Sequence, residues 1–383
     1  MGRGAKYVMR RDMFKKNSIA LFDWTAFAII IFILITGVLT IYSATYANTG
    51  GKATPLYLKQ IGWISTGMLF LFAGASIDYQ TISKYAYPLY ALSLILLVLV
   101  LFIGSSGFGA QRWLSIGGLT FQPSEIAKLA TALALTRHFS DYPARYGYRV
   151  KELLFPGGLI AIPVLLVLKQ PDLGTSLIIT FVSLILLYLV RVRSKFFGFS
   201  ILLLLMLFPF AWHIFWESLK EYQKTRLLTF INPTADPTGT GYHVIQSKIA
   251  IGSGGFWGKG ILESTQSHLN FLPARHTDFV FAVFAEEWGF FGVLVLLLLY
   301  VALISWGLDV ALKARDRLGM LMASGIISIF ALYCVINIGM TIGIVPVVGI
   351  PLPFMSYGGT SLITTLFSLG ILFNIKRKRY LFS

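Results

Sequence analysis

The fold is decided by the stretch RHTDFVFAVFAEEWGFFGVLVLLLLYVALIS, which runs from Arg275 to Ser305. A short polar segment leads directly into an apolar run that is long enough to cross a bilayer, since a helical span needs about 20 mainly apolar residues. Acidic side chains are costly in the hydrocarbon layer and are kept there mainly where function requires them. We therefore look for the chemistry of this chain at Asp278, Glu286 and Glu287.

Apolar runs of this kind recur along the whole 383-residue chain. Hydrophobic residues make up 56% of it and charged residues only 13%, and the mean hydropathy is +0.75, which excludes an ordinary soluble domain. We predict an all-α, polytopic membrane protein with about ten transmembrane helices. The predicted spans are 22–43, 59–77, 86–103, 124–139, 155–168, 174–190, 196–215, 280–305, 318–343 and 354–375.

The formal charge of +16 would suit a nucleic-acid-binding protein, but the placement of the basic residues favours a topological explanation. With a cytoplasmic N-terminus, nearly every inner loop is basic, as the positive-inside rule requires. The short outer connections hold only Lys52, Lys59, Arg112 and Lys169. We therefore predict that both termini are cytoplasmic, that the basic excess faces anionic membrane lipids, and that no nucleic acid is bound. The inner basic residues are Arg3, Lys6, Arg10, Arg11, Lys15, Lys16, Lys84, Arg137, Arg145, Arg149, Lys151, Arg191, Arg193, Lys195, Lys313, Arg315, Arg317 and Lys376 to Arg379.

We find no internal repeat or low-complexity linker, so residues 1–383 are predicted to form a single membrane domain. Residues 1–21 form its cytoplasmic N-terminal segment, and 216–278 form one large extracytoplasmic loop between spans seven and eight. The aromatic and glycine content of that loop argues against disorder, and we expect helical and re-entrant pieces. Its glycine-rich run 252–260 is not a P-loop, although its backbone amides could hold a pyrophosphate. The single Cys334 excludes disulfides and cysteine metal clusters.

Helical geometry separates the carboxylates of the opening stretch. On an ideal helix Glu286 lies about 80° from Asp278 and about 12 Å deeper, while Glu287 lies on the opposite side. Asp278, close to the membrane interface, is therefore the better general base, and the two glutamates are assigned supporting roles. The competing interpretation is that Thr277 or Asp278 caps the helix N-terminus, for which both residue types are favoured. The two roles are compatible.

Other polar residues interrupt the apolar pattern at three places. Glu125 and Lys128 lie three residues apart on one helix face, where they form either a self-neutralising pair or the polar wall of a substrate cavity. In the second case Lys128 or Arg112 would face a phosphate. The segments 169–176 and 349–361 contain helix-breaking residues, which indicate either a cavity lining or tight turns that let helices pack closely.

These segments together resemble the SEDS family (shape, elongation, division and sporulation proteins) over nearly the whole chain. The motifs at 246–248, 265–268, 270–273 and 286–289 are closer to its rod-shape, elongation branch than to its division branch. The resemblance rests on Arg112-Trp113-Leu114, Phe121-Gln122-Pro123-Ser124-Glu125, Pro171-Asp172-Leu173-Gly174-Thr175-Ser176, Ile251-Gly252-Ser253-Gly254-Gly255, His276-Thr277-Asp278-Phe279 and Met355-Ser356-Tyr357-Gly358-Gly359.

The resemblance implies a peptidoglycan glycosyltransferase that polymerises lipid II at the outer face of the bacterial inner membrane. It implies a class B penicillin-binding protein as the transpeptidase partner, together with other membrane proteins of the elongation complex. The essential aspartate of the family falls on Asp278, and its intramembrane Glu/Lys pair falls on Glu125 and Lys128. A divalent cation, Mg or Mn, would bind with the substrate pyrophosphate and contact Asp278, because no metal cage built from protein side chains is visible.

The residues that we expect to bind substrate surround this aspartate in sequence or belong to the same motifs. They are Arg112, Glu125, Lys128, Lys248, Arg275, His276 and Ser356. A lipid flippase or transporter is the main competing function, since broken helices and polar residues in a bundle also describe transporters. Against it, the candidate groups cluster at the outer ends of the spans, with no inverted repeat. A scaffold for cell-wall assembly, in which Asp278 would be dispensable, is the third hypothesis.

Overall fold

The fold is described from a computed structural model of the chain. It covers residues 22–46, 56–107, 110–116, 119–144, 147–192, 217, 221–232, 239–268, 271–272 and 274–380. The predicted span 196–215 and the N-terminal segment 1–21 lie outside the described residues. The structural statements below concern the described residues.

Helices account for most of the described chain, in the following order along the sequence. They are α1 (Trp24–Tyr46), α2 (Leu56–Ser76), α3 (Tyr79–Lys84), α4 (Ala86–Ile103), α5 (Pro123–Asp141), α6 (Leu154–Lys169), α7 (Leu173–Leu189), α8 (Glu221–Ile231), α9 (Thr240–Ser253), α10 (Thr265–His268), α11 (Val280–Leu312), α12 (Arg317–Thr341) and α13 (Gly359–Tyr380), with a single 3-10 turn at Val150–Leu153.

Seven of the described helices are long and apolar enough to cross a membrane. They are α1, α2, α4, α6 with its preceding turn, α11, α12 and α13. Helix α7 is apolar but shorter, and α5, although 19 residues long, is buried along most of its length by the other helices. The chain is thus a multi-pass membrane protein, and nine of the ten predicted spans coincide with described helices. The exact number of crossings and the side of each terminus stay predictions.

The expectation of an all-α chain was wrong between α4 and α5, where a small antiparallel sheet forms. Its strands are β1 (Ser105–Gly107), β2 (Ala110–Ile116) and β3 (Leu119–Phe121), in the order β1-β2-β3. Leu114 of β2 pairs with Phe121 of β3. Strands this short are hidden in a hydropathy profile, which averages over helix-length windows. The sheet places Arg112 on its central strand.

Close packing of the second and last helices closes the bundle. A Cβ atom on Gly370 of α13 would lie 2.2 Å from the carbonyl oxygen of Leu71, and one on Gly74 of α2 would lie 2.7 Å from the carbonyl oxygen of Phe367. The backbones therefore approach more closely than side chains would allow. Packing of this kind, with small residues at the contact, is a main source of helix association in lipid, where no hydrophobic driving force acts.

Residues 216–278, predicted to form one large loop, contain α8, α9 and α10, so the predicted helical pieces are confirmed. Its glycine-rich run packs into a break in α11 at Gly289, whose φ is +63°. The amide of Lys259 donates to the carbonyl oxygen of Glu286 at 3.0 Å, and the amide of Phe290 donates to that of Gly255 at 2.9 Å. The amide of Gly260 likewise donates to the Glu287 carbonyl oxygen, at 3.1 Å. The amides of Lys259 and Gly260 are therefore committed to the helix break and are not available to a pyrophosphate.

Candidate functional site

Asp278 lies immediately before α11 and does not cap it. The helix begins at Val280, and its N-cap residue, Phe279, makes no side-chain cap hydrogen bond. The capping alternative was therefore wrong, and the Asp278 carboxylate is not committed to the helix. The backbone of Asp278 is held instead by Asn337 of α12, whose amide nitrogen donates to the carbonyl oxygens of Asp278 at 3.0 Å and of Ile350 at 2.7 Å.

Ser356 fastens the same segment to the loop that precedes α13. Its hydroxyl donates to the Thr277 carbonyl oxygen at 2.6 Å and accepts from the Leu352 amide at 2.8 Å. The amide of Tyr357 donates to the His276 carbonyl oxygen at 2.8 Å. The motif that contains Asp278 and the motif that contains Ser356 thus form one unit. Because the Ser356 hydroxyl forms these two hydrogen bonds with backbone atoms, Ser356 is a positioning residue.

The carboxylate of Asp278 faces the non-helical loop between α12 and α13. Gly349 of this loop has a φ of +71°, and a Cβ atom there would lie 3.5 Å from Oδ2 of Asp278. The loop has no helical structure from Val345 to Pro351, so the helix-breaking segment 349–361 begins in non-helical backbone, as its sequence predicts. Non-helical backbone of this kind is tolerated in a membrane protein where protein or water covers it.

Electrostatics make this carboxylate a better base than an ordinary aspartate. Asp278 lies outside the membrane-spanning helices, and burial raises its pKa above the usual value, while the positive charges of Arg226 and Arg112 act in the opposite direction. Arg226 belongs to α8, and sequence reasoning missed it. Its only signal was the charged, helix-compatible character of the segment, which does not show where the segment folds.

Arg112 is held on β2 by the segment that separates α6 from α7. Its guanidinium donates to the carbonyl oxygens of Gln170, at 3.4 Å, and of Pro171, and it lies 3.8 Å from the Asp172 carboxylate. Asp172 in turn caps α7 by accepting from the Thr175 amide at 3.2 Å. The interruption at 169–176 is therefore a cap with an arginine bound to it, and this arginine acts electrostatically on Asp278.

Lys248 lies on α9 and lines a small cavity together with Arg226. A Cβ atom on Gly343, at the end of α12, would lie 2.6 Å from the Lys248 ammonium nitrogen. The neighbouring Ser247 donates to the Thr341 carbonyl oxygen at 2.8 Å and fixes α9 against α12. The cavity is lined by Arg226, Thr229, Phe230, Val244, Lys248, Gly343, Val345, Pro346 and Val347. Two cations that are distant in sequence thus share one cavity beside the loop that Asp278 faces.

The Glu125 and Lys128 pair is buried in the bundle. The ammonium of Lys128 lies 2.7 Å from the Glu125 carboxylate, and Tyr333 of α12 donates to both carboxylate oxygens at 2.9 Å. The Lys128 ammonium also lies 4.2 Å from the centre of the Tyr333 ring. The pair is therefore neutralised internally and also lines a cavity between α5, α12 and α13. Sequence reasoning missed Tyr333, because no local pattern brings it to Glu125.

Glu286 and Glu287 bind residues of the segment 259–265 and of α1, and not Asp278. The Glu286 carboxylate accepts from the Lys259 ammonium at 2.6 Å, the Ser264 hydroxyl at 2.6 Å and the Thr265 amide at 2.9 Å. Glu287 accepts from the hydroxyl of Ser43 on α1. Both side chains are buried. Their supporting role is thus structural: they attach the segment before Asp278 to α11 and α1.

Arg275 and His276 complete the segment that precedes Asp278. Arg275 is only 3% exposed, so it is packed into the loop. Burial lowers the pKa of His276, and the charge of Arg275 lowers it further, which favours a neutral imidazole at pH 7. The rings of His276 and Tyr357 lie 6.2 Å apart. The two residues therefore support the backbone that carries Asp278.

A divalent cation would find one carboxylate at this site. Among the described residues, no group of three or more His, Cys, Asp or Glu side chains is placed to hold a metal ion. The Asp278 carboxylate lies in the positive fields of Arg226 and Arg112, which oppose binding of a bare cation. These residues fit a cation that arrives bound to phosphate oxygens, which hard cations prefer.

Sequence comparisons agree with the motifs. The family model of the FtsW/RodA/SpoVE cell cycle proteins matches residues 23–381. A relative named peptidoglycan glycosyltransferase MrdB, from Escherichia coli K12, is 41% identical over 94% of this chain and 95% of its own length. Peptidoglycan glycosyltransferase RodA of Treponema pallidum is 30% identical over 94% of this chain and 98% of its own length. These names support glycosyltransferase activity for this chain.

Solved structures share the fold. One, described as "Structural coordination of polymerization and crosslinking by a peptidoglycan synthase complex", matches with a TM-score of 0.79 and 35% identity, covering 94% of this chain and 98% of that one. The rod-shape-determining protein RodA of Thermus thermophilus matches with a TM-score of 0.69 and 32% identity over the same shares. Motifs, sequence and fold agree over almost the entire length, and the chain therefore belongs to the FtsW/RodA/SpoVE family, the SEDS family that its motifs resemble.

Proposed function

We propose that this chain polymerises lipid II into β-1,4 glycan strands during cell elongation and rod-shape maintenance, with Asp278 as the general base. The observation that carries the proposal is the Asp278 carboxylate itself. It is free of the helix cap, its backbone is held by Asn337, and burial raises its pKa while two arginines act on its charge. A catalytic base works best when its pKa lies closer to the working pH than that of a free aspartate.

In this mechanism the acceptor sugar 4-hydroxyl loses its proton to a carboxylate oxygen of Asp278. The hydroxyl oxygen attacks the anomeric carbon of the donor and forms the new glycosidic bond. The bond from that carbon to the pyrophosphate oxygen breaks, and its electron pair leaves with undecaprenyl pyrophosphate. Because the displacement has one step, the α-linked donor gives a β-linked product. A single base suffices, since the leaving group needs charge stabilisation more than a proton.

Cationic side chains near Asp278 are suited to stabilise the pyrophosphate. Arg112, Arg226 and Lys248 lie on three different elements, and both arginines act electrostatically on Asp278. Fixed positive groups aimed at developing negative charge are among the strongest contributions to catalysis. Asp278 is the carboxylate that would hold a divalent cation, Mg or Mn, arriving with the pyrophosphate, and such a cation would supply further charge neutralisation. Glu125 and Lys128 would form an inner polar wall for the substrate.

The same comparisons and the charge pattern support a proposed cellular setting. The similar structure that combines polymerisation with crosslinking supports a class B penicillin-binding protein as partner, alongside other elongation-complex membrane proteins. The basic loops support an inner-membrane location with Asp278 on the outer face. Lipid II and the surrounding membrane lipids are then the molecules that the protein contacts there.

The test is glycan polymerisation by purified protein with its transpeptidase partner, lipid II and Mg²⁺. Asp278→Asn should reduce the polymerisation rate by a factor on the order of 100 to 10,000, as expected for loss of a general base. The matched control is Asp309→Asn, because Asp309 is an exposed carboxylate near the far end of α11, the helix that follows Asp278, and it is paired with Lys313. It should polymerise at the wild-type rate.

Both variants must keep the wild-type melting temperature for the comparison to hold. Polymerisation that survives in a folded Asp278→Asn protein would remove Asp278 from its role as base. Absence of polymer from folded wild-type protein, together with movement of fluorescent lipid II across vesicles, would favour a flippase. Absence of both activities would favour a scaffold.

A further inference from the structure

A second polar cleft lies at the opposite end of the bundle from Asp278. It has a volume of about 510 Å³ and is formed by α3, the end of α5 and the start of α12. Its lining residues are Gln80, Ser83, Lys84, Arg137, Ser140, Asp141, Asp316, Arg317 and Leu318. None of these residues takes part in the proposed reaction. The length of α12 gives the distance between the cleft and the Asp278 site. Arg317 in the cleft and Asn337 beside Asp278 are 20 positions apart, which is about 30 Å of helix.

The acidic and the basic residues of this cleft differ in how fully they are paired. Both carboxylates are committed to the protein: Asp316 caps α12 through the Gly319 amide at 2.7 Å and accepts from the Tyr79 hydroxyl at 2.9 Å. Asp141 pairs with Arg137 at 3.3 Å. These acids bind their own partners with defined geometry, so the cleft holds no carboxylate that lacks a partner.

The cations are less constrained. Lys84 is exposed, and among the described residues no hydrogen bond or ion pair occupies its ammonium group, although its charge acts on Asp78. The Arg317 guanidinium is half-buried and makes a long contact of 3.5 Å to the Tyr148 hydroxyl. Arg137 donates to the carbonyl oxygens of Ser83 and Lys84 at 2.8 and 2.5 Å, which builds the wall of the cleft, and its charge is balanced by Asp141. The surplus positive charge belongs to Lys84 and Arg317. The cleft therefore offers positive charge to an anion.

Aromatic side chains mark the level of this cleft in the membrane. Tyr85 and Tyr142 follow the lining residues Lys84 and Asp141 in sequence, and they are 60% and 66% exposed. Exposed tyrosines at helix ends are typical of the interface between lipid headgroups and tails. The cleft thus opens where headgroups lie. A distance of about 30 Å from the catalytic end also matches the thickness of the hydrocarbon layer.

We propose that this cleft binds the headgroup of an anionic phospholipid, with the phosphodiester between Lys84 and Arg317 and the acyl chains running along the bundle surface. Basic pockets between helices on the cytoplasmic side are the usual sites for such headgroups. The ligand class is a glycerophospholipid whose headgroup carries no positive charge, because a zwitterionic lipid would bring a cation close to Lys84 and Arg317. The bound lipid would join α3, α5 and α12 at the inner face.

Native mass spectrometry of the delipidated, full-length protein tests this proposal. Titration with a short-chain phosphatidylglycerol should give a saturable adduct, and Lys84→Gln combined with Arg317→Gln should weaken it by about fivefold for each cation removed. The control is Lys313→Gln, an exposed lysine on the same membrane face that is paired with Asp309. It should bind as the wild type does.

Two parallel titrations separate the sources of phosphate. A phosphatidylcholine of equal chain length should bind at least about fivefold more weakly, since it carries no net charge, and inorganic phosphate should not displace the adduct. Equal binding of the two lipids, or unchanged binding by the double variant, would overturn the proposal. Displacement by inorganic phosphate would show a free-anion site instead. If the double variant fails to fold, Lys84→Gln alone carries the test, because no hydrogen bond among the described residues depends on its side chain.

Discussion

The Asp278 carboxylate is surrounded by groups with opposite effects on its ionisation. Burial favours the protonated form and raises the pKa, whereas Arg226 and Arg112 favour the charged form. The arginines therefore serve two purposes in the proposed reaction. They keep the base ionised before proton transfer, and they supply positive charge for the pyrophosphate afterwards.

Removal of Arg226 should change the pH dependence of polymerisation. The base must be deprotonated to act, so the rate rises with pH through the pKa of Asp278. Arg226→Gln removes a charge that lowers this pKa, so the acidic limb of the pH profile should move to higher pH. The measurement is kcat/KM for lipid II polymerisation across the acidic range.

The control for this shift is Lys313→Gln, which removes a cation at the far end of α11 and should leave the limb in place. An acidic limb that stays at the wild-type pH in Arg226→Gln, or that moves to lower pH, would show that Arg226 does not act on the catalytic base. A uniform loss of rate without a shift would limit Arg226 to substrate binding.

At the level of single residues, sequence reasoning found the groups whose cost is visible locally. Asp278 and Glu286 stood out because a carboxylate beside or within an apolar run is unfavourable unless it has a function. Arg226 and Tyr333 could not be found in this way. An arginine in a polar loop and a tyrosine in a span are both ordinary, and only tertiary packing brings them to Asp278 and Glu125.

The break in α11 is an element-level feature that depends on glycine. Gly289 has a φ of +63°, and a Cβ atom there would lie 2.2 Å from the amide nitrogen of Gly258. Gly289→Ala should lower the free energy of unfolding by about 2 kcal/mol or more. The alanine would have to adopt a left-handed backbone conformation, and its Cβ atom would clash with Gly258. The measurement is the thermal midpoint in detergent, followed by tryptophan fluorescence.

Gly157→Ala is the matched control, since a Cβ atom at this glycine of α6 meets nothing within 4 Å. It should leave the midpoint unchanged or raise it slightly, because alanine favours helix more than glycine does. A Gly289→Ala protein as stable as wild type would mean that the glycine-rich run does not pack into the break. In that case the hydrogen bonds between the run and α11 would need another explanation.

Element boundaries were predicted well where apolar length decides them. The predicted span 86–103 coincides with α4, and the suspected break at 169–172 separates α6 from α7. The strands between α4 and α5 were missed because β1 and β3 have only three residues each, and the seven residues of β2 do not alternate strictly between apolar and polar. Helix α5 was found by its proline and serine start, yet its burial inside the bundle is a property of its neighbours rather than of its own sequence.

At the scale of the whole molecule, the two ends of α11 should face opposite compartments. Glu263 lies in the segment attached to the start of this helix, and Lys313 follows its end; both are exposed. Glu263→Cys should react with a membrane-impermeant maleimide added to intact spheroplasts, whereas Lys313→Cys should react only in inverted vesicles. The native Cys334 is buried, so background labelling should be low.

Labelling of both positions from the same side would contradict the predicted topology and with it the placement of Asp278 on the outer face. Sequence reasoning predicted this orientation from charge alone, because lysine and arginine are retained on the cytoplasmic side during insertion. It could not predict how the helices are arranged around one another. That arrangement follows from side-chain fit, such as the close approach of Gly74 and Gly370.

This approach also has a consequence for biosynthesis. Helix α2 is made early, and the helix that packs most closely against it, α13, is made after all the other described helices. Membrane insertion of the intervening helices must therefore proceed while the glycine surface of α2 lacks its final neighbour. Domains generally form in the order of synthesis, but here closure of the bundle waits for α13. A chain that stops before residue 359 would leave Gly67 and Gly74 without the α13 atoms that cover them, so this close-packed surface of α2 would face lipid.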